Sequence, residues 1–526
     1  MRNSGMLSHT ITGIGDGDVF DNSTALNASL VTDDQRAGLY IFGQNRHRSA
    51  YDHDGDGYSE IPKLHGQTIG FRSFLKTTTY SKLTFEYHHM EEFRRGGDLL
   101  NRPPHEANVA EQTEHSINGG GLKFDYFSPN ENHRFNVFAS AQHINRDSYY
   151  GPGDRDPLDA YGNTTDLNWM AGSQYVYSFG KCIFMPSDLT AGIEFNQDKL
   201  EDNMWGYNRT VDQKVNIGSA FFQNEWKNEH WGFLIGGRLD KHNLIDHVIF
   251  SPRANLRYNP TENINLRFSY SSGFRAPQAF DEDLHVENVG GNVAMVELAD
   301  NLKEERSQSL SASADIYHRF GAFQVNFLVE GFYTKLSDVF ALTDGEVVDG
   351  ILTRTRYNAP GARVMGLTLE GKMAYLTKFQ VQAGVTLQQS HYSEPHVWNK
   401  EAPAVKKMMR TPNTYGYFTA TYTPIKPLSI ALSGTYTGSM LVPHEPVPGF
   451  LEKPITVNTK DFFDIGLKAA YDFKLYKSMN LQVNAGVQNI FNAYQNDFDK
   501  GADRDSGYIY GPSLPRSFFA GVKISY

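Results

Sequence analysis

One cysteine, Cys182, among 526 residues leaves no intramolecular disulfide to hold the fold together. It lies in a turn, Gly180 to Ser187, with no metal-ligand spacing around it. No stretch approaches the ~20 consecutive apolar residues of a spanning helix, which excludes a helical membrane protein. There is no basic surplus either: 60 acidic against 49 basic residues give a net charge of -11, which argues against nucleic acid as a partner. The opening Met1-Arg2-Asn3-Ser4-Gly5 lacks the apolar segment and small-residue cleavage site of a signal peptide. No Ser/His/Asp arrangement, paired-carboxylate motif, phosphate-cradling glycine loop or HExxH occurs, so catalysis has no candidate and an enzyme is not expected. No linker, composition shift or change of period marks a boundary, and residues 1–526 read as one unit.

What is present is a rhythm. Stretches of about ten residues alternate apolar with polar, joined in turn by tight polar turns and long polar loops. In the run from Ile264 to Ser271, Ile264, Leu266, Phe268 and Tyr270 fall on one face of a strand, and Asn265, Arg267, Ser269 and Ser271 on the other. Leu481, Val483, Ala485 and Val487 repeat the pattern, as do Phe463, Ile465, Leu467, Ala469 and Tyr471. One face suits lipid and the other a wet lumen, so the fold class is an all-β antiparallel transmembrane barrel. The negative mean hydropathy does not conflict, because only half of each strand faces lipid and the loops are polar. Glycine (47), phenylalanine (35) and tyrosine (29) are plentiful.

Short turns are read at 31–36, 76–79, 128–132, around Cys182, and at 227–230, 259–263, 318–321, 376–379, 423–427 and 475–478. Each joins two strands, and one more at each end gives about 22. Long loops fall at about 45–66, 94–115, 147–163, 198–212, 277–305, 388–411, 440–459 and 495–514, so that the short turns are periplasmic and the long loops extracellular.

Three segments resemble the TonB-dependent outer-membrane receptors. Ser272-Gly273-Phe274-Arg275-Ala276-Pro277, with Asn301-Leu302-Lys303-Glu304-Glu305-Arg306-Ser307 further on, is similar to the family's "FRAP … NLKPE-S" region. Val487-Gln488-Asn489-Ile490-Phe491-Asn492 is similar to its penultimate-strand segment, and Pro515 to Tyr526 to its terminal strand ending in an aromatic. The resemblance implies a multi-pass receptor in the outer membrane of a Gram-negative bacterium. Its implied partners are the TonB energy-transduction complex, a metal-chelate ligand, outer-membrane lipid and lipopolysaccharide, and a surface lipoprotein. The expected cargo is an iron–siderophore, with cobalamin or haem as alternatives. Family members also carry an N-terminal plug and a TonB-binding box, neither of which is visible ahead of a first strand expected near Leu7 to Gly13. A barrel of this size has a lumen wide enough to need plugging. The expectation is a shortened reading of a longer receptor, with an unplugged passive diffusion porin as the alternative; a membrane-anchored protease is disfavoured by the missing catalytic set.

The sharpest local motif is Asp52-His53-Asp54-Gly55-Asp56-Gly57-Tyr58-Ser59-Glu60, after the third strand. Carboxylates at positions 1, 3 and 5, a glycine at 6, the Tyr58 carbonyl and Glu60 supply the hard oxygens that Ca²⁺ takes. Position 12 is Lys63 rather than the bidentate glutamate, which weakens the match. The expected metal set is Asp52, Asp54, Asp56, Tyr58 and Glu60, for a structural Ca²⁺ in an extracellular loop; the alternative is a solvated acidic turn. The acidic loops 154–159 and 497–505 carry interleaved basic residues and read as self-paired surface charge. The 18 histidines, among them His285 and His444, show no spacing that marks a haem ligand. Tyr149, Tyr150, Trp205, Tyr207, Trp398, Tyr508 and Tyr510 are candidates for a capture surface, with the membrane girdle or loop packing as the alternative.

Overall fold

The alternation becomes a wall because every strand backbone finds partners on both sides. The computed structural model describes residues 3–526 except 16, 18, 153–159, 290–291, 344, 349–350 and 513. Its 22 wall strands pair antiparallel in chain order, and the sheet closes where Ser4–Ile14 meets Ser517–Ser525, from Met6 opposite Ser525 to Ile14 opposite Ser517. Closure removes the unpaired edges that an open sheet would present.

The side-chain parity set by the sequence survives around the whole circle. Leu7 lies opposite Leu26 on one side and Ile524 on the other, so the outward face of the first strand continues the outward face of the last. Large apolar side chains stand exposed on this outer face, among them Ile193 at 63%, Ile235 at 62% and Phe268 at 49%. Such an unbroken apolar girdle suits hydrocarbon.

All ten expected tight turns are present, for example Ile183-Phe184 between Tyr161–Cys182 and Met185–Met204. Cys182 has a structural place there, its carbonyl accepting from Trp226 Nε1–H at 3.0 Å. The opposite rim differs from expectation in two ways. Three further strand pairs meet at this rim, Ser4–Ile14 with Val19–Val31, Trp231–His242 with Ile249–Thr261, and Phe323–Leu342 with Ile351–Tyr375, where no long loop was expected. The loop expected at 198–212 shrinks to Trp205–Asn208, because the strands run on to Met204 and from Arg209. Polar residues such as Asp198, Glu201, Asp202 and Asn203 look like loop, yet strand pairing satisfies their backbones.

Strands end where the backbone demands it. Gly97, at the end of Ser81–Gly97, has φ +97°, and a Cβ there would lie 2.0 Å from the Val109 carbonyl oxygen, so only glycine fits. The strand Ile264–Arg275 stops two residues before Pro277, which cannot donate to the ladder.

Candidate functional site: the outer mouth

The longest outer connection, residues 276–304, turns back over the mouth of the barrel. Its segment Asn292–Leu298 runs parallel to the wall strand Ile351–Tyr375, pairing from Val293 with Ile351 to Leu298 with Arg356. Val286, Val293 and Met295 pack with Ala110, Tyr149, Tyr150, Met204 and Tyr207 in one buried apolar cluster.

Between these anchors a single helical turn, Asp281–Leu284, carries three consecutive acids that meet four arginines from four wall strands. Arg146 Nη1 lies 2.9 Å from Asp281 Oδ1, and its Nε donates to Thr164 Oγ1 at 3.1 Å. Arg356 pairs with the carboxylates of Glu282, at 3.2 Å, and Asp283. Arg275 pairs with Glu282 and covers the Phe280 ring at 4.1 Å, while Arg209 donates to the Asp283 carbonyl. Asp283 is 1% exposed. Burial pushes its carboxyl up, opposed by the Phe280 N–H it accepts and by the Arg356 charge. Arg275, in the segment that carries the family resemblance, thus serves the turn that follows it.

Next to the clamp, His285 Nε2 lies 3.2 Å from Glu111 Oε1. Burial would lower its pKa, but the hydrogen bond and charge of Glu111 outweigh it and the imidazolium is favoured. A folded pKa above the ordinary 6.5 gives a docking contribution that is complete below pH 6.5 and is lost as pH rises through the raised value. Hydrogen exchange at residues 285–287, corrected for intrinsic rates, is therefore expected to accelerate as pH rises above 6.5; Glu111→Gln should remove that dependence, and an unchanged profile would refute the role of the pair.

The last outer connection, 489–516, crosses from the other side. His444 Nε2 lies 2.9 Å from Asp499 Oδ2, both side chains are buried, and the imidazole stacks on Tyr508 at 3.7 Å. The Glu445 N–H donates to Asp505 Oδ2 at 3.0 Å, and burial pushes the Asp505 carboxyl up. Arg410 donates to the Ile509 carbonyl at 2.9 Å and also to that of Gly507.

The expected metal residues lie where this strap lands. The carboxylates of Asp52, Asp54, Asp56 and Glu60 converge, each offering an oxygen within 4.8 Å of the others. Asp52 accepts from the N–H groups of Gly55 and Gly57, both at 2.8 Å, as a tight turn with two positive-φ glycines requires. Tyr58 joins through its N–H, which donates to Asp56 Oδ1 at 2.8 Å, and its ring lies under Arg504 at 4.7 Å. The strap supplies cations to the group: Arg504 Nη2 is 2.6 Å from Asp56 Oδ2 and Nη1 3.4 Å from Glu60 Oε1, while Lys500 Nζ is 3.2 Å from Asp54 Oδ2. The basic residues of 497–505 therefore pair across to another loop rather than among themselves. The acidic segment 154–159 falls outside the described residues.

Of the aromatic candidates, Tyr149, Tyr150, Tyr207 and Tyr508 are buried in loop packing. Trp205 stands 65% exposed, and Trp398 lines a cavity of about 340 Å³ with Arg275, Arg356 and Tyr392. A second cavity, about 330 Å³, lies between the straps and the wall, lined by Tyr58, Arg94, Glu111, His285, Arg504 and Tyr508 among others. The arginine clamp was not marked in the sequence. Its one local signal is the Asp281-Glu282-Asp283 triplet, whose partners lie up to 135 positions away.

Comparison with known proteins agrees with this architecture. The profile of the family described as "TonB dependent receptor-like, beta-barrel" matches residues 8–490. No curated protein sequence matches the chain. Among solved structures, the siderophore receptor PirA from Acinetobacter baumannii is 15% identical with a TM-score of 0.77, covering 100% of this chain and 80% of that one. A mutant of the ferric enterobactin receptor PfeA from Pseudomonas aeruginosa is 15% identical with a TM-score of 0.76, at the same coverage. The ferric-catecholate import receptor Fiu from E. coli K12 is 13% identical with a TM-score of 0.73, covering 100% and 82%. At such identities the likeness is one of fold. The family profile spans most of the wall, and the chain belongs to the TonB-dependent receptor-like β-barrel family.

Proposed function

We propose that the chain forms the wall and ligand-capturing rim of an outer-membrane receptor that takes up a metal chelate, with an iron–siderophore as first choice. The observation that carries this reading is the roofed mouth: one cavity lies between both straps and the wall and a second beneath the 276–304 strap, each lined by aromatic rings and by arginines that now pair with carboxylates and that a flat, oxygen-rich anion would engage in their place. Three structural neighbours are described as receptors for siderophores or ferric catecholates, which supports the same cargo. In this reading the TonB complex drives entry. Haem is less favoured, because His285 and His444 at the mouth are each engaged by a carboxylate.

Binding to the purified barrel in detergent, followed by tryptophan quenching with a ferric catecholate, a ferric hydroxamate, cyanocobalamin and haemin, tests the cargo. Saturable binding of a ferric chelate alone is expected. Saturation by cobalamin or haemin instead would move the assignment, and a steady open conductance with no binding at all would favour a diffusion porin.

The convergence of Asp52, Asp54, Asp56 and Glu60 supports a second element of the proposal, a Ca²⁺ that stiffens the loop beneath the strap.

A further inference from the structure

Two histidines that no spacing connects in the sequence are brought together by the ladder outside the mouth. His47, in the strand Ala37–Arg48, lies directly opposite His65, in Ser59–Thr78, and their ring centres are 5.9 Å apart. The rung itself favours the approach. Lys76 N–H donates to the Arg36 carbonyl at 2.7 Å, so the pair at the turn is a hydrogen-bonded one. From there the register runs without a break, from Ala37 opposite Leu75 to Arg48 opposite Leu64. Alternate rungs therefore put His47 and His65 on a non-hydrogen-bonded rung, where opposed Cα atoms come to ~4.5 Å and side chains stand closest.

Both rings are open to solvent. Gly43 lies opposite Leu26 and Ile69 on the outward face, and His47 and His65 stand four residues further along that face, ~13 Å towards the outer loops. The rung between them and Gly43, Asn45 opposite Gln67, is already polar, and both histidines are exposed. Other histidines are held by acids: His89 Nε2 lies 3.3 Å from Glu91 Oε1, and His247 Nε2 3.1 Å from Glu304 Oε1. Among the described residues His47 and His65 have no such partner. Gln67 instead donates its amide N–H to His65 Nε2 at 3.2 Å, which leaves the lone pair on that nitrogen. The charged groups nearest on the same face are Lys63, held over the Phe93 ring at 5.8 Å, and Glu91, opposite Gln67. Arg46 and Arg48 alternate onto the lumenal face.

We propose that His47 and His65 form a two-imidazole site for a borderline divalent transition ion of the Zn²⁺ class. Neutral imidazole is a ligand such ions prefer, and two rings sharing one ion through ~2.1 Å bonds stand roughly 5 Å apart, a small side-chain rotation from the observed separation. Water, and the Gln67 amide oxygen once that side chain turns, complete a tetrahedral shell. The ion clips two strands one rung inside the end of their ladder, beneath the loop 49–58 on which Arg504 and Lys500 land, and so firms the base of that loop. The site depends neither on the cargo nor on Ca²⁺ at the carboxylates above it.

Titration calorimetry of Zn²⁺ into the tag-free barrel in detergent tests the site. His47→Gln and His65→Gln should each weaken binding on the order of 100-fold, because the second ring of a two-ring site acts through effective concentration. His318→Gln, at an exposed tight turn, and Asp54→Ala should leave it unchanged, and excess Ca²⁺ should not displace the ion. Zn²⁺ should slow hydrogen exchange over residues 49–60 in the wild type but not in His47→Gln. Equal Zn²⁺ affinity in the wild type and both histidine variants would overturn the site. Loss of binding in Asp54→Ala, or displacement by Ca²⁺, would overturn it in favour of the acidic loop, and exchange that bound Zn²⁺ leaves unchanged would overturn the clip. Should His47→Gln lose its heat-modifiable mobility, His65→Gln carries the same comparison.

Discussion

Arg356→Met is expected to release the 276–304 strap while leaving the wall closed. Arg356 is buried and holds both Glu282 and Asp283, so its loss strands the Asp283 carboxylate in a site where burial already works against its charge. Breaking a buried pair from one side costs about 3–5 kcal/mol. A local loss of that size raises the open population of the strap by roughly 100-fold or more, which hydrogen exchange over residues 281–289 would read directly. The wall strands should keep their protection, because closure rests on ladder bonds and not on this contact. Adding Asp283→Asn should recover part of the protection, since an amide tolerates the site without a countercharge. Exchange in 281–289 that stays at the wild-type level in Arg356→Met would refute the clamp.

The second large effect is expected at Arg504, where the strap and a bound cation would compete. Arg504 lies on Asp56 and Glu60, two of the four converging carboxylates, so a Ca²⁺ using those oxygens must displace the guanidinium. Arg504→Ala should tighten Ca²⁺ binding, by roughly 10-fold for one displaced, partly buried charge-assisted pair. The same change should loosen residues 498–509. Asp54→Ala should abolish the binding heat. Titration calorimetry on the wild type and both variants separates the outcomes: no heat in any of them ends the Ca²⁺ proposal, and weaker binding in Arg504→Ala would show that the arginine orders the site rather than competes for it.

The wall was legible because its determinants are local. Ile264 to Ser271 declare their faces by alternation, and turns such as Ser128 to Asn132 declare themselves by composition, so strand number and sidedness follow from short windows of sequence. The mouth was legible only where its chemistry is contiguous. Asp52 to Glu60 could be read as one loop, and four of the five expected ligands bring carboxylates together there. That Arg504 and Lys500 land on that loop from more than 440 positions away has no local signature. Four of the seven aromatic candidates could not be assigned from the sequence for a similar reason. Whether Tyr149, Tyr150, Tyr207 and Tyr508 meet ligand or one another depends on how the straps fold back, and in the structure they are buried.

The seam between Ser4–Ile14 and Ser517–Ser525 bears on how this protein comes into being. Leu7 and Ile524 face each other across more than 500 residues of chain, so the strand Ser4–Ile14 has to wait for Ser517–Ser525 before both of its edges are satisfied. Until then two apolar, unpaired edges stand open to self-association. Contacts of such separation form slowly, because chain entropy has to be given up before they yield anything in return. Assembly of this barrel is thus a race between ring closure and aggregation, and a catalyst that holds the two terminal strands would decide its outcome.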